Sequence, residues 1–229
     1  MPKKIVKKRK LKIFNLLLVL LVLTGLFFVV YLILQIRVQN IIVKNTNYLN
    51  DDYVLELSGL KNYPKFLLTN NFKVEKNLED SKYINKAKLR RRLPFTFVIE
   101  IDENKPLFYD MNRKRFILSN KEEVKDEEIS HDFMVPRLLN YVPDKKYSKF
   151  IKGMNRVDDS VLIKISDIEY QPNEYDKDRF LLYMDDGNMV YLTLTKFKMI
   201  NHYNDVLKQL ENHKGILYLD NGNHFKIME

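Results

Sequence analysis

Cysteine is absent from the sequence, which excludes a disulfide framework and any thiolate metal site. Glycine is scarce, at 6 of 229 residues, and no Gly/Ser-rich, Pro-rich or collagen-like tract occurs. The four histidines, His131, His202, His213 and His224, show no H-x-x-x-H or H-E-x-x-H spacing, so a histidine metal site is not expected. No G-x-S-x-G, Walker loop or dinucleotide fingerprint is present. Two acidic pairs remain. Asp185-Asp186 falls in a turn where Asp is favoured for backbone reasons, and Asp158-Asp159 reads as a helix start. No catalytic, cofactor-binding or metal-binding residue is therefore expected, and the chain does not read as an enzyme.

The formal charge of +9 invites a nucleic-acid reading, but its distribution removes it. Seven of the 39 Lys and Arg lie in the first twelve positions, leaving 32 against 30 Asp and Glu elsewhere, a net of +2. Lys3, Lys4, Lys7, Lys8, Arg9, Lys10 and Lys12 precede the uncharged run IFNLLLVLLVLTGLFFVVYLIL at 13–34. As a helix that run is about 33 Å long, enough to cross a hydrocarbon core of about 30 Å. The basic cluster predicts a cytoplasmic tail at 1–12, with the bulk of the chain outside. A cleaved signal peptide is disfavoured, because the run exceeds an h-region of about 7–15 residues and bulky Gln35-Ile36-Arg37-Val38 follows it. The sharpest basic cluster beyond the run, Lys86, Lys88, Arg90, Arg91 and Arg92, reads as an exposed strand end.

Beyond the run, β-branched IRVQNIIV predicts a strand. Asn50-Asp51-Asp52 opens a short helix over Tyr53–Leu57 that Gly59 ends. A turn at Tyr63-Pro64 leads to a second helix over 70–80. Two strands follow, around 86–90 and 95–101, with Phe97, Ile99 and Ile101 on one face and Glu100 and Asp102 on the other. The order is β-α-α-β-β. Short strands are expected at 107–109 and 115–119, and 121–132 reads as a solvated charged loop. A helix near 147–154 follows, then 161–170, helical passing into strand. Residues 180–184 and 189–192 flank Asp185-Asp186-Gly187-Asn188, a strong hairpin signal. Thr195 is expected to cap a helix with the stripe Phe197, Ile200, Tyr203, Leu207 and Leu210, ended by Gly215. Strands at 216–220 and 223–228 around Asn221-Gly222 close the chain.

Ala87, Leu89, Arg91, Pro94, Thr96, Ile99, Ile101, Glu103 and Pro106 stand in the register A-x-ψ-x-R-x-x-P-x-T-x-x-ψ-x-ψ-x-E-x-x-P, ψ being aliphatic. This resembles the closing segment of the POTRA domain in the FtsQ/DivIB family of bacterial cell-division proteins. The opening is similar too, through Ile41–Thr46, Leu49–Asp52 and Leu57–Leu60. Asn45-Thr46 stands where the family has Gly-Asn, and Asn tolerates the left-handed backbone that Gly supplies. The second half, with its hairpin, long helix bearing a central Tyr and closing strand pair, resembles the family's β domain. The resemblance implies an α+β architecture: tail 1–12, transmembrane helix 13–34, POTRA domain 35–106 and β domain 107–229. It implies a non-enzymatic, single-pass scaffold at the division septum that binds FtsB/DivIC-type and FtsL-type partners outside the membrane, near the septal peptidoglycan synthase. The implied contact region is the last helix and strand, with Tyr203, Tyr218, Leu219, Asp220, Gly222, His224 and Phe225. A final strand also supports partner addition if it is a sheet edge. The alternative is a membrane-tethered POTRA module of an export or outer-membrane assembly system, although such proteins carry repeated units or a barrel-strand series that this chain lacks.

Overall fold

The computed structural model describes residues 13–125, 134–210 and 213–228. The basic tail, His131 and most of the expected charged loop lie outside the described residues. Helix α1 (Ile13–Leu34) coincides with the uncharged run, and none of its residues is buried. It is the one described helix long and apolar enough to cross a membrane.

The described chain divides into two compact units, one made of residues to Asn45, Asp51–Leu78 and Ala87–Ile101, the other of Thr46–Asn50, Glu79–Lys86 and Asp102 onward. The elements after α1 follow the expected β-α-α-β-β order: β1 (Asn40–Lys44), α2 (Asp51–Ser58), α3 (Asn71–Glu79), β2 (Ile84–Arg92) and β3 (Thr96–Glu103). The strands form a sheet in the order β1-β3-β2, with β1 and β3 parallel. Phe97, Ile99 and Ile101 are buried along one face of β3, as the alternation predicts, while Asp102 is exposed; being central, the strand also buries Val98 on its other face. Asn45 adopts φ 64° and Gly59 φ 71°, so both left-handed positions fall where the sequence placed them.

The second unit is built on a nine-stranded mixed sheet in the order β12-β11-β10-β9-β8-β7-β4-β5-β6. Its strands are β4 (Pro106–Asp110), β5 (Arg115–Leu118), β6 (Glu123–Lys125), β7 (Arg137–Leu138), β8 (Ile165–Tyr170), β9 (Arg179–Met184), β10 (Met189–Thr193), β11 (Gly215–Tyr218) and β12 (His224–Ile227). Helix α4 (Asp144–Met154) buries Tyr147, Phe150, Ile151 and Met154, with Phe150 stacked on Phe180 at 4.7 Å. Each such side chain taken from water contributes about 1.5–3 kcal/mol. Helix α5 (Asp159–Leu162) starts after Asp158, as the acidic pair indicates.

Three local expectations are corrected. Residues 123–125 form β6 rather than loop, because Val124 is fully buried. The segment after β10 is a 3-10 helix, Leu194–His202, before α6 (Tyr203–Gln209), and Thr193, not Thr195, stands at its N-cap. Phe197, Ile200 and Tyr203 are spaced by three, the period of that tighter helix. Gly215 does not stop the helix. It opens β11, where a Cβ would strike the Lys226 carbonyl and meet the Phe225 ring at 2.6 Å.

Candidate functional site

Strand β12 ends the sheet among the described residues, pairing only with β11. The Met228 N–H donates to the Lys214 carbonyl at 2.9 Å. In an antiparallel ladder inward and outward groups alternate, so residues 224, 226 and 228 bond to β11. The N–H and C=O of Phe225 and Ile227 then face the open edge. The Ile227 side chain is 53% exposed, while Phe225 is half-buried and packs on the core.

Behind this edge a ladder crosses one face of the sheet. Tyr191 and Tyr218 are register partners in parallel strands, with ring centroids 5.4 Å apart. Tyr218 stacks on His224 at 4.7 Å and 9°. The Arg179 guanidinium lies 3.5 Å over the Tyr191 ring and pairs with Asp220 at 2.6 Å. Both members of that pair are largely buried, which makes the bond strong once formed and costly to break. Lys196 donates to the Leu219 and Asp220 carbonyls at 3.2 and 3.1 Å, and Gly222 turns the chain at φ 84°. A cleft of about 510 Å³ lies beside the turn, with Tyr175, Arg179, Tyr218 and His224 among its walls.

Tyr218, Asp220, Gly222, His224 and Phe225 thus gather at the edge. Leu219 is buried and serves the core. Tyr203, only 1% exposed, lies in the core behind the edge. Its hydroxyl donates to the Asp186 carboxylate at 2.8 Å and accepts from Asn188 at 3.1 Å. Asn188 in turn accepts the Gly215 N–H at 2.8 Å. This chain of bonds ties the β9–β10 turn to β11, so Tyr203 supports the edge from behind. Burial, then the Asp186 carboxylate, pushes its phenol above the ordinary value. Asp186 is therefore occupied structurally, and the described residues contain no cluster of three or more His, Cys, Asp or Glu that could hold a metal. Arg179, Tyr191 and Lys196 stand in no motif of the sequence, and Asn188 is marked there only as a turn residue; the β9–β10 register puts Arg179 and Tyr191 on one face.

The motif residues have structural roles. Arg91 donates to the Phe66 and Thr69 carbonyls at 3.2 and 2.6 Å. The Glu103 carboxylate accepts the N–H groups of Asn47, Tyr48 and Leu49 at 2.9, 3.0 and 2.8 Å. Pro94 lies in the β2–β3 turn after a cis bond from Leu93, and buried Pro106 opens β4.

A helix long and apolar enough to cross a membrane, a β-α-α-β-β module and a mixed-sheet unit make up a protein of POTRA type. A family model, POTRA domain, FtsQ-type, matches residues 36–104. Curated relatives include the cell division protein DivIB of Bacillus subtilis, 28% identical over 88% of this chain and 80% of its own length. DivIB of Geobacillus kaustophilus is 27% identical, over 82% and 74%. DivIB of Brevibacillus brevis is 30% identical, over 80% and 72%. A solved structure, the major extracytoplasmic domain of the trans isomer of DivIB from Geobacillus stearothermophilus, is 24% identical. It overlaps 48% of this chain and 96% of that one at a TM-score of 0.39. The chain belongs to the FtsQ/DivIB family of cell-division proteins.

Proposed function

We propose that the chain is a non-enzymatic scaffold of the division septum, with its N-terminus in the cytoplasm and residues 35–106 and 107–229 outside as POTRA and β domains. Its docking site is the open edge of β12, which adds a strand from an FtsB/DivIC-type partner, with an FtsL-type partner alongside. The single observation supporting this most is that the N–H and C=O groups of Phe225 and Ile227 face outward on an edge strand. Such a row binds an extended segment through main-chain bonds, with side-chain pockets adding selectivity. The stacked Tyr218 and His224 and the half-buried Phe225 provide that selectivity on opposite faces. Confinement by α1 raises the effective concentration of partners in the same membrane, which holds them near the septal cell-wall synthase.

The test is a pull-down of the membrane-incorporated chain against the outside segments of FtsB/DivIC-type and FtsL-type proteins of the same organism. Binding at about micromolar affinity or tighter is expected. It should weaken in Phe225→Glu and disappear on truncation before Asn221. Unchanged affinity in a truncated chain that still melts cooperatively would sink the assignment.

A further inference from the structure

The end of the first unit nearest α1 carries a surface that docking at β12 does not use. Helix α1 stops at Leu34. Two residues later the Ile36 carbonyl accepts the Phe66 N–H at 2.9 Å, and the Val38 N–H donates to the Pro64 carbonyl at 2.9 Å. No more than about 7 Å of extended chain joins α1 to this pairing. The β2–β3 turn lies at the same end. There the Gln39 N–H donates to Phe95 at 2.9 Å, and Asn40 opens β1 beside Thr96 at the start of β3.

The segments brought together, 35–39, 59–70 and 91–96, contain five Lys and Arg and no Asp or Glu. Arg91 is engaged internally, its guanidinium bonded to the Phe66 and Thr69 carbonyls. That clamp fixes the loop whose next residues point outward. Leu67 and Leu68 are 46% and 58% exposed, and Leu93 at the neighbouring turn is 80% exposed. Arg37, Lys65 and Arg92 have no carboxylate partner among the described residues. Exposed leucines interleaved with cations, in segments without an acid, are the composition of an interfacial membrane contact.

We propose that this end of the first unit rests on an anionic phospholipid surface. Leu67, Leu68 and Leu93 enter the boundary between headgroups and acyl chains, and Arg37, Lys65 and Arg92 meet the lipid phosphates. The proposal rests on α1 spanning the bilayer. Unbalanced positive charge favours anionic lipid as the occupant, and the tether keeps the patch close to the bilayer. Leu34 to Ile36, across one ladder step to Phe66 and on to Leu68 is at most about 20 Å. The headgroup layer reaches about 5–8 Å beyond the hydrocarbon, and attraction to its charge extends a further Debye length of about 8 Å. The unit would then be held at two points, the helix and the patch, which restricts its swing about the short 35–36 connection.

The absence of cysteine permits single-site labelling of the full chain in lipid nanodiscs. Leu68→Cys, Leu93→Cys and, as an exposed control on α3, Lys76→Cys each receive a bimane fluorophore, with nitroxide-headgroup lipid as quencher. Leu23→Cys with a mid-chain nitroxide reports whether α1 spans. With about one-third anionic lipid, quenching at positions 68 and 93 should exceed that at position 76 by at least about twofold. The excess should vanish in the Lys65→Glu/Arg92→Glu background when melting is retained. Equal quenching at all three outer positions while Leu23 is quenched would overturn the patch and leave the anchor standing. An unquenched Leu23 would overturn the spanning helix and the proposal with it. Excess quenching that persists in purely zwitterionic discs would overturn the anionic-headgroup assignment.

Discussion

Gly215→Ala tests how the docking edge is held. Gly215 faces Ile227 across the β11–β12 ladder, and the Phe225 ring lies over it diagonally. An added methyl would meet Phe225 Cζ and Cε1 at 2.6 and 2.8 Å and press closer still on the Lys226 carbonyl oxygen. The ring could rotate away, but the carbonyl belongs to β12 itself, so the strand must shift or detach. Overpacking of this kind costs about 1–3 kcal/mol. Taken as about 2 kcal/mol on local opening of β12, it accelerates amide exchange about 30-fold. The assay is hydrogen exchange at the inward amides of His224, Lys226 and Met228, with Leu182 in β9 as internal reference. Faster exchange confined to β11 and β12, with weaker partner binding, is expected. Unchanged protection in β12 would refute the argument that glycine is required there for close strand approach.

Other substitutions probe the supports of each unit. Arg179→Ala leaves Asp220 largely buried without its cation and strips Tyr191 of its stacking partner, so a loss of about 3 kcal/mol is expected in urea melts. Glu103→Ala removes the acceptor of three backbone N–H groups and should cost about 2–3 kcal/mol, with Glu103→Gln recovering part of it. Alkaline stability depends on two phenols. Burial first, then Asp110 for Tyr147 and Asp186 for Tyr203, raises both above the ordinary value of 10.0. Unfolded tyrosines release their protons as pH passes about 10 while the folded ones keep theirs. Their contribution is therefore complete below that pH and falls above it by about 1.4 kcal/mol per pH unit for each tyrosine. Urea midpoints at about pH 9 and about pH 11 should show this fall, and a Tyr147→Phe/Tyr203→Phe chain should show less of it.

What sequence made legible was local. The uncharged run, the left-handed Asn45 and Gly59, the acidic helix start at Asp158 and the Asp185–Asn188 hairpin each carry their cause within a few residues, and each lies where expected. The misplacements have causes distant in sequence. Glu123–Lys125 has loop composition, yet it pairs with β5 and buries Val124. Gly215 has the same identity as a helix stop or as a close-approach glycine, and only Phe225 and Lys226 decide between them. Strand β7, two residues long, joins β4 to β8 through parallel pairing that no local pattern announces. Tyr203 shows the same limit in the site. Its helical spacing marked it as apolar-facing, but its bond to Asp186 could be seen only once the turn was folded over it. The edge position of β12 likewise belongs to the sheet order, not to the residues of the strand.

The most direct test of docking at that edge is Ile227→Pro in the full chain. The Ile227 N–H faces outward, so proline removes one donor from the open edge and leaves the inward bonds at 224, 226 and 228 in place. Titration with the outside segment of an FtsB/DivIC-type partner should show affinity lowered at least about tenfold, with the melting temperature unchanged. Unaltered affinity in a chain that melts like the parent would contradict strand addition at β12.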